Sequence, residues 1–540
     1  MVEKINYKNI FRIFLYLAFI IGGEFICFYF SPRGNAPITI LSLIITFVIW
    51  ISILRHLDTL KKPTIWQGFF VLATSVIALE GNYNWFYNNR GDQVRKVASW
   101  LSDDIEKTEY LLIIGLISCA TFAGGLLLLL FWQWFTTFVR KIWNQCDTLD
   151  KKYITVSVCV MTLAIIGIYS LTNIFSNTGV KYDVVYSSDT GSLCMGNVWL
   201  YVNHGENDIR QPLFAIASIP FSSLAALVGR ILYLWPNVYT YLLAMIQGSL
   251  LILCNVLVAK MLKISGHVKI IYYLLASFAY SNILFTLNLE QYVFAVFYMI
   301  LFIYHILNNE SEKLNCILLS LATGSLISTA VICVWKERYS NWKDFIKMVI
   351  LRGLTVVGIL SMFGRLSVVL NLERLKFVLS FSSYNEADTL TIGEKILQYL
   401  NLVKSLYIQP EVQIVGEMNY RLSAVNSISV VGCLILFCVV IGFFATYKER
   451  LSQIGAFWIL FSFGITVIVG WGARENGMIL YALYFCWAFT ILLMQLLKKV
   501  CERWNKIGIL IGYVLCTVML IVNSKGIMEL VQFGIEKYPH

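Results

Sequence analysis

YDVVYSSDTGSLCMGNVWLYVNHGENDIRQPLF, residues 182–214, is a polar island in an apolar chain. It gathers Asp183, Asp189, His204, Glu206, Asp208 and Arg210 between long hydrophobic runs. Its reading depends on those runs. The chain has 540 residues, 58% hydrophobic and 14% charged, and its mean hydropathy is +0.72. A soluble protein of this size cannot hide so much apolar surface. Apolar runs of about 18 residues or more mark membrane-spanning helices. Backbone groups in hydrocarbon must be satisfied within the segment, which makes these runs helical; a barrel would show short alternating segments.

The expected class is therefore all-α and polytopic. Thirteen spans are read, near 11–30, 38–54, 64–80, 109–138, 153–175, 237–259, 268–287, 290–307, 345–370, 426–446, 452–471, 478–498 and 507–523. The run 213–235 is apolar enough to span, but Pro220, Arg230 and Pro236 favour helices lying on or dipping into the outer face. The run 314–335, with Gly324 and Ser325 in its middle, reads as a short re-entrant helix pair. Two amphipathic surface helices are expected, one through Val94, Val97, Leu101 and Ile105, the other through Ile392, Ile396, Leu397, Leu400 and Val403. The organisation is then a four-helix N-terminal extension (1–152), a membrane core (153–370) with the outer loop 176–235, an outer segment (371–425) and C-terminal helices (426–540).

Lys and Arg set the orientation. Arg55, Lys61 and Lys62, then Arg140, Lys141, Lys151 and Lys152, then Lys336, Arg338 and Lys343 place the N-terminus and these loops in the cytoplasm. The net charge of +11 then reports topology rather than nucleic-acid binding. Thirteen cysteines lie mostly in or beside apolar runs and show no CxxC pattern, so neither a disulfide framework nor a zinc site is implied. A P-loop, an HExxH motif and a nucleophile elbow are all missing from the sequence, and the cytoplasmic loops are too short for a nucleotide-sugar lobe.

Asp189, in SSDTG, has two readings. A carboxylate beside the membrane can act as a general base toward an acceptor hydroxyl. Asp-Thr-Gly is equally good turn chemistry. Asp208 and Arg210 read as acceptor- and phosphate-holding groups or as a surface ion pair; an Arg fork suits phosphate. Glu290, at the outer end of a span, is a site candidate by its depth. Arg474, in the short loop GARENG, offers a second cation for a lipid phosphate. His204, Glu206 and Asp208 alternate and could share a strand face to ligate a divalent cation. Such triplets arise easily by chance, and no cofactor is expected. Glu24, inside the first span, reads as a hydrogen-bonded structural acid.

The order of these motifs resembles the GT-C superfamily of lipid-linked sugar transferases, such as protein O-mannosyltransferases and aminoarabinose transferases. Asp189, then Asn207-Asp208-Ile209-Arg210-Gln211-Pro212-Leu213-Phe214, then surface helices, then Leu289-Glu290-Gln291-Tyr292 and a glycine-containing half-helix pair follow the family's order over about 153–345. Two features depart from it. Four spans precede the acid loop's own span, and Gln211 stands where the family has the first of two prolines. The resemblance implies a glycosyltransferase at the plasma (inner) membrane, with its active site outside the cytoplasm. It implies a polyprenyl-phosphate sugar as donor and a hydroxyl of an envelope glycan or glycolipid as acceptor. In this scheme Asp189, Asp208 and Glu290 are catalytic, and Arg210 and Arg474 hold the donor phosphate. The rivals are a polysaccharide polymerase or ligase acting on lipid-diphosphate glycans, and a lipid or solute transporter. An inverted repeat and mid-span charges would favour the transporter.

Overall fold

The computed structural model describes residues 7–32, 35–57, 63–176, 184–186, 188–202, 209–233, 237–335, 341–373, 376, 390–416, 420–425, 429–472 and 474–540. The chain is an all-α polytopic membrane protein. Among the described residues, ten helices are long and apolar enough to cross a membrane, or eleven if one bent pair counts as a single span. Three further apolar helical stretches, Ile65–Glu80, Tyr292–Leu307 and Val430–Thr446, are shorter, the first being the opening part of a longer helix. They fall where spans are read at 64–80, 290–307 and 426–446.

The N-terminal part contains α1 (Tyr7–Phe30), α2 (Ala36–Leu57), α3 (Ile65–Leu101) and α4 (Ile105–Asn144). Thr64 starts α3 with a capping box to Gln67. At 37 and 40 residues, α3 and α4 run about 55 and 60 Å, well beyond a hydrocarbon core of about 30 Å. The expected surface helix through residues 94–105 is not a separate element. Residues 94–101 are the continuous end of α3. Ser102 is extended, and Asp104 caps α4 by accepting from the Lys107 amide at 3.3 Å. Val94 and Ala98 face the bundle, whereas Leu101 is 65% exposed. Close packing joins α1 and α4: a Cβ on Gly22 would collide with the Cys119 carbonyl.

The core follows with α5 (Thr148–Tyr169), α6 (Thr190–Gly196), α7 (Phe214–Ile231), α8 (Val238–Leu262), α9 (Gly266–Phe278), α10 (Tyr280–Leu287) and α11 (Tyr292–Leu307). A charged lock closes one end of it. Asp150, 1% exposed, meets Lys269 at 2.7 Å and Lys260 at 3.6 Å, and accepts from the Tyr273 hydroxyl at 2.7 Å. Burying that carboxylate is tolerable because two lysines and a hydroxyl compensate it. The span read at 268–287 is broken by 51° at Ala279. The Tyr280 and Ser281 amides leave the helix to donate to the Tyr407 and Leu406 carbonyls.

Helix α7 is one continuous helix of 18 residues with Pro220 inside, where several helices were expected. Its ends are tied to the end of α1 and to the interior of α3. Pro212, just before it, is joined to Phe30 of α1 through Arg365, and Arg230 pairs with Glu80 of α3. The Tyr29 hydroxyl donates to the Leu79 carbonyl, which puts Phe30 and Glu80 side by side. These ties hold α7 to the end of the bundle that carries the site, while Phe221 in its middle packs against Phe131, Trp132 and Phe135 of α4.

Helix α12 (Glu312–Ser325) and a 3-10 helix (Ile327–Val334) form a hairpin. Arg352 of α13 (Trp342–Met362) gathers both of its ends: Nε donates to Glu312 at 2.7 Å, and Nη1 donates to the Cys333 and Trp335 carbonyls at 2.6 and 2.7 Å. A chain that leaves and returns to one guanidinium enters the bundle and turns back. The turn lies at Ser325-Leu326, and its backbone meets the polar island: the Leu213 amide donates to Gly324 O and the Ile327 amide to Arg210 O, both at 2.8 Å.

The remaining helices are α14 (Leu366–Val369), α15 (Ile392–Ser405), α16 (Val430–Thr446), α17 (Arg450–Phe463), α18 (Ala482–Arg503) and α19 (Asn505–Lys537). Thr391 and Glu394 form a capping box on α15, whose outward residues Ile392, Ile396 and Leu397 are exposed. A two-stranded hairpin, β1 (Val412–Val415) and β2 (Arg421–Ala424), was not foreseen. It pairs with the island, the Tyr186 amide donating to the Leu422 carbonyl at 2.9 Å. The π-helical segment Gly464–Ile468 continues α17, and the 3-10 helix Arg474–Tyr481 leads into α18.

Candidate functional site

Asp189 takes the N-cap position of α6, yet its side chain makes no capping bond. Its carboxylate accepts instead from Gln291 Nε2 at 3.2 Å. The Asp189 amide donates to Glu290 Oε1 at 2.7 Å. Turn chemistry therefore does not account for this side chain. The island and the segment entering α11 are joined twice, across about a hundred residues of sequence.

Glu290 is fully buried. Its own amide donates to Gln247 Oε1 at 3.2 Å, and Gln247 Nε2 donates to the Asn288 carbonyl at 3.3 Å. Gln247 lies in the middle of the apolar helix α8, where its amide side chain organises the turn that carries Glu290. Nearby, the Tyr186 and Tyr280 hydroxyls meet at 2.7 Å.

Arg210 is the cation of this group. Burial holds the Asp189 carboxyl above the usual carboxylate range, and the charge of Arg210 pulls it back down. In turn, burial works against the Arg210 charge, while Asp189, Tyr481, Tyr292 and Glu290 together hold it firmly protonated. An acid raised by burial is a stronger base once ionised, and the adjacent guanidinium keeps the ionised form within reach.

Arg210 also lines a cavity of about 180 Å³. The re-entrant hairpin supplies Leu326, Ile327 and Ser328 to its wall, the π-helical segment supplies Ile465 and Thr466, and Tyr292, Trp471, Tyr481 and Phe485 complete it. Trp471 Nε1 donates to the Tyr481 hydroxyl at 2.5 Å, which fixes the aromatic side. Among the described residues the cavity thus has one guanidinium and mostly apolar and aromatic walls. Such a space suits an amphiphile whose anionic group meets the arginine. A π-helical segment in the wall of a cavity fits the usual placement of π-bulges at functional sites.

Three expected site residues, Asp189, Glu290 and Arg210, come together. Asp208, with His204 and Glu206, lies outside the described residues, as does the side chain of Arg474. Among the described residues, no group of three His, Cys, Asp or Glu side chains could hold a metal. Sequence reasoning missed Gln247 and the direct bond from Gln291. A glutamine amid the apolar residues of α8 was the available signal. No family model, curated protein or solved structure matches the chain.

Proposed function

We propose that the chain is a membrane glycosyltransferase of GT-C type, moving a sugar from a polyprenyl-phosphate donor to a hydroxyl of an extracytoplasmic envelope glycan or glycolipid. One observation carries the reading: the half-buried Asp189 and the fully buried Glu290, joined by a hydrogen bond, act electrostatically on Arg210, which lines a largely apolar cavity. In this scheme the acceptor oxygen attacks the anomeric carbon and gives its proton to the Asp189 carboxylate. The bond from that carbon to the donor phosphate breaks, and the phosphate leaves with its negative charge facing Arg210. Phosphate is already a good leaving group, so a cation replaces a general acid. Glu290 holds the Asp189 main chain, and Gln291 aims its carboxylate. The apolar walls would take the isoprenoid portion next to the phosphate, which does not leave the bilayer for water. The site end would then face outward, with the N-terminus in the cytoplasm of a plasma (inner) membrane.

The test is turnover by the purified, reconstituted chain. Supplied with polyprenyl-phosphate sugars and envelope glycan, it should release polyprenyl phosphate and glycosylate the acceptor, and Asp189→Asn should abolish both. Consumption of lipid-diphosphate glycans alone would move the assignment to a polymerase or ligase. Passage of substrate across the bilayer without any bond change would make it a transporter.

A further inference from the structure

Arg365 is fully buried at the C-terminal end of α13, in the turn before α14. Its Nε donates to the Pro212 carbonyl at 3.2 Å, two residues beyond Arg210. Its Nη1 donates to the Phe30 carbonyl at 3.1 Å, at the end of α1. The same turn is keyed into α1 twice more. Cys27 Sγ donates to the Ser361 carbonyl at 3.0 Å. Gly364 sits at φ +62°, where a Cβ would collide with the Cys27 carbonyl and lie 2.5 Å from Ser31 Oγ. The turn's opposite side is apolar: Leu213, Leu360 and Leu366 form one buried cluster.

The loop carrying Arg210 is therefore held from two sides. The re-entrant hairpin binds it through Arg210 O and the Leu213 amide, and Arg365 binds it through Pro212 O. We infer that Arg365 is a positioning residue that sets the Arg210 loop against the cavity and makes that setting depend on the first N-terminal helix. This gives the N-terminal helices a part in the site although none of them lines the cavity. The guanidinium fork is suited to the task, since one planar group reaches two carbonyls on separate segments. A lysine offers a single nitrogen on a flexible four-carbon stem.

The test uses the full chain purified in detergent, comparing Arg365→Met and Arg365→Lys with wild type by hydrogen–deuterium exchange. Losing a buried bond of this kind should speed exchange in peptides spanning 209–216 by roughly tenfold or more. Peptides from the middle of α11 should keep the wild-type rate, and Arg365→Lys should fall between. Unchanged exchange at 209–216 would overturn the proposal. So would an equal acceleration everywhere, which is what a purely structural loss produces. If Arg365→Met does not accumulate as folded protein, the same comparison on Arg365→Lys decides. A second readout rests on the donor reading of Arg210. The affinity for polyprenyl phosphate, measured as the thermal shift above each variant's own unliganded melting point, should drop about tenfold in Arg365→Met. A wild type that binds no polyprenyl phosphate would sink the donor reading and leave the exchange comparison to judge Arg365.

Discussion

The main-chain amide of Asp189 donates to the side chain of Glu290 at 2.7 Å, and Gln291, the next residue, donates to the Asp189 carboxylate at 3.2 Å. One acid is thus held by its backbone and by its side chain from two consecutive residues of a distant segment. A solvated loop acid has no need of such double fixation. A base that must meet a substrate oxygen within hydrogen-bond reach does.

Asp189→Asn is expected to keep the fold and lose the chemistry. The amide can still accept from Gln291 through its oxygen but cannot take a proton. Turnover should fall about 100- to 10,000-fold, the usual range for a missing general base. The check is single-turnover kinetics beside a melting curve. Near-normal turnover would remove Asp189 from the mechanism.

Arg210→Gln should shift the pH profile as well as weaken binding. Burial already holds the Asp189 carboxyl above its usual range, and Arg210 pulls it downward. Without that charge the carboxyl rises further, so the acidic limb of the rate profile moves to higher pH. The stability effect has its own sign. An acid whose folded pKa is raised favours folding most below its unfolded pKa, and that share is lost as pH rises through the folded value. The window should widen upward in Arg210→Gln, as read by melting points across a pH series.

Arg352→Met should loosen the re-entrant hairpin at its base. Arg352 is fully buried, and its loss strands two carbonyls and separates Glu312, which is itself about one-third exposed. The expected cost is about 3 kcal/mol, most of it from the unsatisfied carbonyls. Thermal unfolding in detergent measures it. A melting point within about a degree of wild type would show that the hairpin is held elsewhere.

What the sequence revealed, and what it hid, divides by range. The spans are local: a run of apolar residues needs no partner to be recognised, so most helices lie where hydropathy puts them. The break at Gly324-Ser325 was also visible, because small residues in an apolar run interrupt it. By contrast, the bend at Ala279 was hidden. It exists because Leu406 and Tyr407, more than a hundred residues later, take the amides of Tyr280 and Ser281. The same holds for the site. Asp189, Arg210 and Glu290 stood out as charges beside spans. Gln247, Arg352 and Arg365 lie inside apolar runs and act through backbone carbonyls or amides of distant segments. Their signal was a polar group where hydrocarbon was expected, and it named no partner. The pairing of Tyr186 with Leu422 likewise joins short segments with no hairpin turn between them.

Gly324→Ala tests whether the hairpin turn and the Arg210 loop are fitted to each other. The Leu213 amide donates to Gly324 O at 2.8 Å, which brings the two backbones together. A Cβ at Gly324 would overlap the Leu213 Cβ and lie 2.6 Å from its Cδ1. Leu213 cannot simply withdraw, because its other side packs in the buried cluster with Leu360 and Leu366. The alanine should therefore push the loop, and Arg210 with it, at a cost of about 1–3 kcal/mol for overpacking. Leu213→Ala alone leaves a cavity and should cost about 2–5 kcal/mol. Together the two changes exchange bulk across one contact, so the double variant should cost less than the sum by about 0.5 kcal/mol or more. Additive losses in that cycle, read by thermal unfolding, would mean the loop has room to move and that Gly324 does not set the position of Arg210.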